Sequence, residues 1–269
     1  MYLRWLSDLH VDVNKPKDVR LPALPTDPET VLALPGDFGT PKTMADWLNL
    51  HARTFPYILL VLGNHDHWGF SRERAVAKWQ EGLAKHLTGE FLARIVLLEN
   101  EWVDLAGVRF FGTTLWSDFS HADPAVLQAA RLDLQDYKRI RTAGGTQRFQ
   151  PRHAVIAHDQ AIAWLQKAIA EPFAGPKIVL THFAPSRKSL PASWADDPLG
   201  GAYANSMEAL LRVFGEQGVR RWLHGHIHTA AEYRIGQIRV SSNPFGYPGE
   251  QGATGYRPDR VEDLAGDFL

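Results

Sequence analysis

Asp8 and His10 lie two residues apart, and His226 and His228 repeat that spacing. Asp37, Asn64 and His182 occur singly. All seven side chains can donate a lone pair to a metal ion, and the imidazoles can also move protons. Together they supply two carboxylates, one amide and four imidazoles. That is too many ligands for one tetrahedral ion, but it suits two ions sharing a bridging group. Two divalent ions bring four positive charges; Asp8 and Asp37 remove two, and a bridging hydroxide removes a third. The centre that remains is positive and attracts a phosphate group. A metal pair about 3.5–4 Å apart can activate an attacking water and hold phosphoryl oxygens for in-line displacement.

Those residues must be positioned by something, and the flanking sequence indicates strands. Short runs rich in Val, Ile and Leu at 2–7, 30–35, 57–62, 177–181 and 220–223 each end at one of the polar clusters. Such runs read as buried strands. In open α/β sheets, ligands bind beyond the carboxyl ends of strands. Residues 43–53, 72–86, 160–170 and 206–216 have apolar residues at helical spacing, which predicts four helices. Further strands are expected at 95–98, 102–105, 108–111, 231–235 and 237–241, the last two forming a hairpin at Gly236. The tail from Asn243 is rich in Gly and Pro and is expected to be irregular. The least regular interior stretch, 116–152, carries Arg131, Lys138, Arg139, Arg141, Arg148, Arg152 and the pair Gly144-Gly145. It reads as a basic insertion of one or two helices and a loop, capping one end of a single domain that spans 1–269.

Composition narrows the chemistry. The chain has 269 residues, 45% of them hydrophobic and 22% charged, and a formal net charge of -1. A chain of that length can bury one large α/β core. The charge balance gives no basic field pointing to nucleic acid. Cysteine is absent, which excludes disulfides, thiolate catalysis and Cys-bound zinc. No run approaches the roughly 18 apolar residues of a spanning helix, so no membrane partner is expected. The N-terminus starts directly on a strand-like run instead of a charged segment and apolar core, which implies a cytoplasmic protein.

Asp8-x-His10, Gly36-Asp37, Gly63-Asn64-His65-Asp66, His182 and Gly225-His226-x-His228 resemble the five ordered motifs of the calcineurin-like metallophosphoesterases. Gly-Asp alone carries little information; all five motifs in order, each at a strand end, are specific. The resemblance implies an α/β fold of two packed mixed β-sheets flanked by helices. It implies a phosphate mono- or diesterase acting by in-line attack of a bridging hydroxide. Asp8, His10 and His228 would hold one metal, Asn64, His182 and His226 the second, and Asp37 would bridge them. Mn²⁺, Fe²⁺/Fe³⁺ or Zn²⁺ suit such ligands. His65 would protonate the leaving oxygen, with Asp66 orienting it. The substrate would be a small phosphate ester, nucleotides among them.

Departures from the family pattern narrow the branch. Gly36-Asp37 runs into Phe38-Gly39-Thr40-Pro41, unlike the Asp-Arg-Gly elements of the protein phosphatases. His65 stands where the lipid A precursor hydrolases carry Arg. The alternative is a silent metal-binding interaction module of the same fold, as in the retromer subunit; retention of every ligand and of His65 favours the enzyme. Arg187, Lys138 and Arg141 are the candidate substrate contacts. His51, His86, His121 and His153 match no motif and read as structural or solvated, while His67 and His224 flank motifs and could support them.

Overall fold

The structure is a computed structural model that describes residues 1–194 and 197–264. Its strands, in chain order, are β1 (Tyr2–Trp5), β2 (Thr30–Pro35), β3 (Tyr57–Val61), β4 (Ile95–Leu97), β5 (Glu101–Leu105), β6 (Val108–Thr113), β7 (Arg141–Thr142), β8 (Gln147–Arg148), β9 (Lys177–Thr181), β10 (Val219–His224), β11 (Glu232–Ile235), β12 (Ile238–Ser242) and β13 (Glu262–Asp263). Two mixed sheets result, in the orders β13-β1-β2-β3-β4 and β11-β12-β10-β9-β6-β5; β7 and β8 form a separate small ladder.

The apolar runs are buried on both faces, and their alternation assigns each side chain to a layer. Leu3, Trp5, Val31, Ala33, Leu59 and Val61 face the second sheet and meet Phe110, Ile178, Leu180 and Leu223 from it. The intervening Leu32, Leu34, Ile58 and Leu60 face outward onto Met44, Trp47, Leu48 and Trp79. On the far side Phe111, Val179, Trp222 and Val240 pack under Ala154, Ala161, Leu165, Leu211 and Phe214. Helices thus cover the outer face of each sheet, and truncating a side chain such as Leu60 to Ala would cost roughly 2–5 kcal/mol. The four-layer α/β fold expected from the motifs is the one observed.

The predicted helix at 43–53 is Pro41–His51, started by Pro at its first turn and by Thr40, whose side chain accepts from the Thr43 amide. The pattern at 206–216 becomes Glu208–Glu216, and that at 72–86 becomes Ala75–Ala84 after a short 3₁₀ turn, Arg72–Arg74. The helix expected at 160–170 is longer, Pro151–Ala170. Its first half buries Ala154, Ala157 and Ala161, and Ala is too weakly apolar to mark a face in the sequence. Gln150 opens it, with its backbone amide donating to His153 Nδ1 at 3.0 Å.

Residues 116–152 contain the helix Pro124–Asp133, a short turn Asp136–Arg139 and the β7–β8 hairpin. Trp116, Phe119, Tyr137, Ile140 and Phe149 join the core beneath Pro151–Ala170. The tail differs from its irregular expectation at one point: β13 adds an antiparallel edge to β1, pairing Tyr2 with Asp263. None of the helices among the described residues is long and apolar enough to cross a membrane.

Candidate metal centre

The seven motif residues meet where β1, β2, β3, β9 and β10 end. The reason they meet differs from simple strand alternation. Asp8, His10, Asp37 and His226 all adopt positive φ, at 55°, 41°, 58° and 69°. Each lies past its strand in a left-handed turn that costs a non-glycine residue on the order of 1–3 kcal/mol. The turns are held by one another. Asp8 N and His10 N donate to Gly36 O and Asp37 O, both at 3.0 Å, and Gly225 N donates to His182 O at 3.0 Å. His226 N donates to Asp8 Oδ1 at 2.9 Å, tying the ends of the two sheets together. Glycine is required at two motif positions. A Cβ on Gly63 would collide with the Asp37 carboxylate, and one on Gly36, at φ +90°, with the His182 ring.

Among the described residues three overlapping groups of potential ligands result: two outer ones, Asp8, His10 and His228, and Asp37, His182 and His226, joined by a third, His10, Asp37 and His65; within each, the ligand atoms lie within 4.8 Å of one another. Asp37 stands between the two outer groups, with Oδ1 3.4 Å from His182 Nε2 and Oδ2 3.7 Å from His10 Nε2. Outer partners fix the rings. His182 Nδ1 faces Pro35 O at 3.0 Å and His228 Nδ1 faces Glu250 Oε2 at 2.6 Å. That leaves both Nε2 atoms pointing inward. His10 Nε2 and His228 Nε2 face each other at 3.3 Å. Asn64 is held by Nδ2 donation to the Asp136 carboxylate at 3.0 and 3.1 Å, which turns Oδ1 inward to 2.9 Å from His182 Nε2. Inward-facing imidazole nitrogens at such spacing, with carboxylate and amide oxygens among them and no thiolate, fit borderline divalent ions.

Electrostatics divide the two outer groups in the same way. Burial disfavours the His182 cation, but the Asp37 charge and hydrogen bond outweigh it and carry its pKa up to about 9. His228 also rises to about 9, burial being outweighed by its bond to Asp8 and the charges of Asp8 and Glu250. Burial prevails at His10, which falls to about 4, and at His226, which falls well below the usual range. Burial would raise Asp8, yet the bond and charge of His228 hold it at about 2. Each outer group thus pairs one imidazole whose pKa is raised with one whose pKa is lowered.

His65 reaches the same centre, its Nε2 3.9 Å from Asp37 Oδ2. Its ring stacks on Trp68 at 3.6 Å between centroids, and Nε2 meets the Tyr247 hydroxyl at 3.0 Å. Asp66 does not orient it. The Asp66 carboxylate instead accepts backbone amides from Asp37 and Gly63 at 2.8 Å, Phe38 at 2.9 Å and Gly39 at 3.3 Å. One carboxylate taking four amides clamps the loop that carries Asp37 onto the loop that carries Asn64. A neighbouring residue in sequence was the wrong guide because the 3₁₀ turn His65–His67 rotates successive side chains apart.

Sequence reasoning also missed Asp136, Tyr247, Glu250 and Trp68. Tyr247 stacks on His10 with ring centroids 4.3 Å apart, and Glu250 accepts from the Tyr247 amide at 2.8 Å as well as holding His228. The tail is drawn over the centre by Phe245 N to Ser7 O at 2.9 Å and Gly246 N to Asp8 O at 3.0 Å. A Tyr and a Glu within a Gly/Pro-rich stretch past the last motif were the only available signal.

A cavity of about 560 Å³ opens above the centre, bounded by Asp37, His65, His226 and His228 below. The inner edge of the 116–152 segment, Asp133 to Tyr137, forms part of its wall. Lys138, Arg141 and Arg187, expected to contact substrate, are not among the lining residues. Lys138 and Arg141 are exposed, and Arg187 points to Ser120 Oγ at 3.5 Å. The stretch is also less basic than its arginines suggest, since Asp118, Asp123, Asp133 and Asp136 lie in it.

The chain is 27% identical over 271 residues to the uncharacterized protein L509 of Acanthamoeba polyphaga mimivirus, which covers 93% of this chain and 92% of that protein. Among solved structures it resembles a phosphopantetheinyl hydrolase from Mycobacterium tuberculosis, with a TM-score of 0.71, 16% identity and coverage of 92% of this chain and 90% of the other. At that identity the likeness speaks for the fold alone. The family model of the calcineurin-like phosphoesterases matches residues 3–230, a span that takes in all five motifs, and the chain belongs to that family.

Proposed function

We propose that this protein is a two-metal phosphoesterase. Asp8, His10 and His228 would hold one ion and Asn64, His182 and His226 the other, with Asp37 shared. The observation that carries this reading is the position of Asp37, whose two oxygens face the histidines of opposite groups. Two ions bound there would lower the pKa of an attacking water and offset charge developing on the phosphoryl oxygens.

The rest falls to the chain's own residues. His65 donates a proton to the leaving oxygen from Nε2, the ring atom that faces the cavity floor. Trp68 fixes the plane of that ring, and the Tyr247 hydroxyl holds Nε2 until a substrate oxygen takes its place. Asp136, Glu250 and the Pro35 carbonyl keep Asn64, His228 and His182 in the orientations that expose their ligand atoms. The 116–152 segment supplies a substrate-facing wall. The test is reconstitution: chelator-treated protein should lose aryl phosphate hydrolysis, and Mn²⁺, Fe²⁺ or Zn²⁺ should restore it at two ions per chain. Undiminished hydrolysis after complete metal removal would refute the proposal.

A further inference from the structure

We propose that the cavity selects esters whose phosphorus carries a single negative charge and whose ester group is a planar ring, and that it rejects substrates bearing additional phosphates. This rests on the phosphoesterase reading and narrows its substrate class. The first observation is charge. Among the described residues lining the cavity there is no Lys or Arg, while Asp133, Asp136 and Glu250 stand along its wall beside Asp37 on the floor. Positive charge for a phosphate is therefore confined to the floor. A second phosphate, reaching outward, would meet the carboxylates of Glu250 and Asp133, while the Arg139 guanidinium stacks on the Trp68 ring 4.4 Å from its centroid and is outside the lining.

The second observation is shape. At about 560 Å³ the cavity is much larger than a phosphate group and is of the size that encloses a sizeable organic ligand. Its rings form a track leading away from the floor. Phe183 packs on His226 with centroids 4.1 Å apart, Tyr203 lies 5.5 Å from His226, and Trp194 lies 5.2 Å from Tyr203. Trp194 and Tyr203 line the cavity and are only partly buried, so part of each side chain is open to a ligand. Flat, half-open aromatic faces a short way from the floor hold a planar group by stacking, and an uncharged ring carries no penalty beside the acids.

The test uses the full chain loaded with Mn²⁺ and three substrates: bis(4-nitrophenyl) phosphate, 4-nitrophenyl phosphate and ATP. The expected order of kcat/KM is diester, then monoester, then ATP. Trp194→Ala and Tyr203→Ala should each raise KM for the diester roughly five- to ten-fold with kcat little changed, the loss of one stacked ring. Asp133→Lys, at an exposed rim position, should lower KM for ATP by a larger factor than it changes KM for the diester. Calorimetric binding of diphenyl phosphate to the Mn²⁺-loaded protein gives a second readout, which Trp194→Ala should weaken by a similar factor. ATP turned over as well as the diester, or both ring variants with unchanged KM and unchanged diphenyl phosphate binding, would overturn the proposal. Absence of turnover on every ester would instead refute the phosphoesterase reading, and the calorimetry would still decide whether the rings bind.

Discussion

The floor and the wall of the cavity are built by different means. On the floor, Asp8, His10, Asp37 and His182 are buried, and each is fixed by backbone or side-chain partners from a second strand end. Four floor residues sit in left-handed turns that are costly alone and are maintained by the sheets behind them. The wall comes from segments outside the parallel strands: Asp133 to Tyr137, the stretch around Trp194 and Tyr203, and the turn from Tyr247 to Glu250. Its residues are mostly half-buried or exposed. A rigid sheet edge can hold ligand atoms to the fractions of an ångström that metal chemistry needs. Segments laid over it can change their side chains without disturbing that edge, which suits them to choosing among substrates.

If that division is right, floor substitutions should abolish chemistry and wall substitutions should only tune it. The largest effect belongs to Asp37→Asn, which should reduce both metals in elemental analysis and bring hydrolysis to background. His10→Ala should deplete mainly one ion. Equal loss of both ions in both variants would mean that the pair binds only as a unit.

The next largest effect is at His65, where floor and wall meet. His65→Ala should keep both metals while kcat falls by about 10²–10⁴-fold, the contribution of a positioned general acid. The loss should be greatest for poor leaving groups such as alkyl oxygens and smallest for nitrophenolate. Loss of metal in this variant would make His65 a ligand.

Outer partners come third. Asp136→Ala and Glu250→Ala should weaken metal affinity by roughly 10–100-fold, since each orients a proposed ligand without touching the ion. Titration with Mn²⁺ would measure it, and unchanged affinity in both would show that Asn64 and His228 are held by packing alone. A related effect follows from the raised imidazoles. In metal-stripped protein at pH 7.5, His182 and His228 lie below their pKa values of about 9 and carry protons. Metal requires neutral imidazole, so loading should release protons at pH 7.5 and cease to do so once the pH is well above 9. Calorimetry in buffers of different ionisation enthalpy reads this directly; release that does not decline with rising pH would contradict it.

The smallest effect is expected at the outer surface of the wall. Lys138→Glu and Arg141→Glu should change kcat/KM by less than about two-fold, because exposed charges away from the cavity are screened by salt. A larger change for charged esters alone would restore these residues as substrate contacts.

The sequence alone determined the floor's membership and the architecture beneath it. Seven side chains in five motifs, each following a Val/Ile/Leu-rich run, specify strands that deliver them to one edge, and both sheets follow from the same runs. This was legible because strand burial and metal binding both leave signals in residue type at short range. What joins residues far apart left no such signal. Asp136 meets Asn64 across 72 positions and Tyr247 meets His65 across 182, and nothing local marks either partner. Asp66, beside His65 in the chain, turned out to serve four backbone amides instead. The alanine-rich face of Pro151–Ala170 and the direction in which Lys138, Arg141 and Arg187 point were likewise settled only by packing. The physical reason is the same throughout. A side chain's own chemistry is fixed by its type, but its hydrogen-bond partner and its exposure depend on which distant segment folds against it.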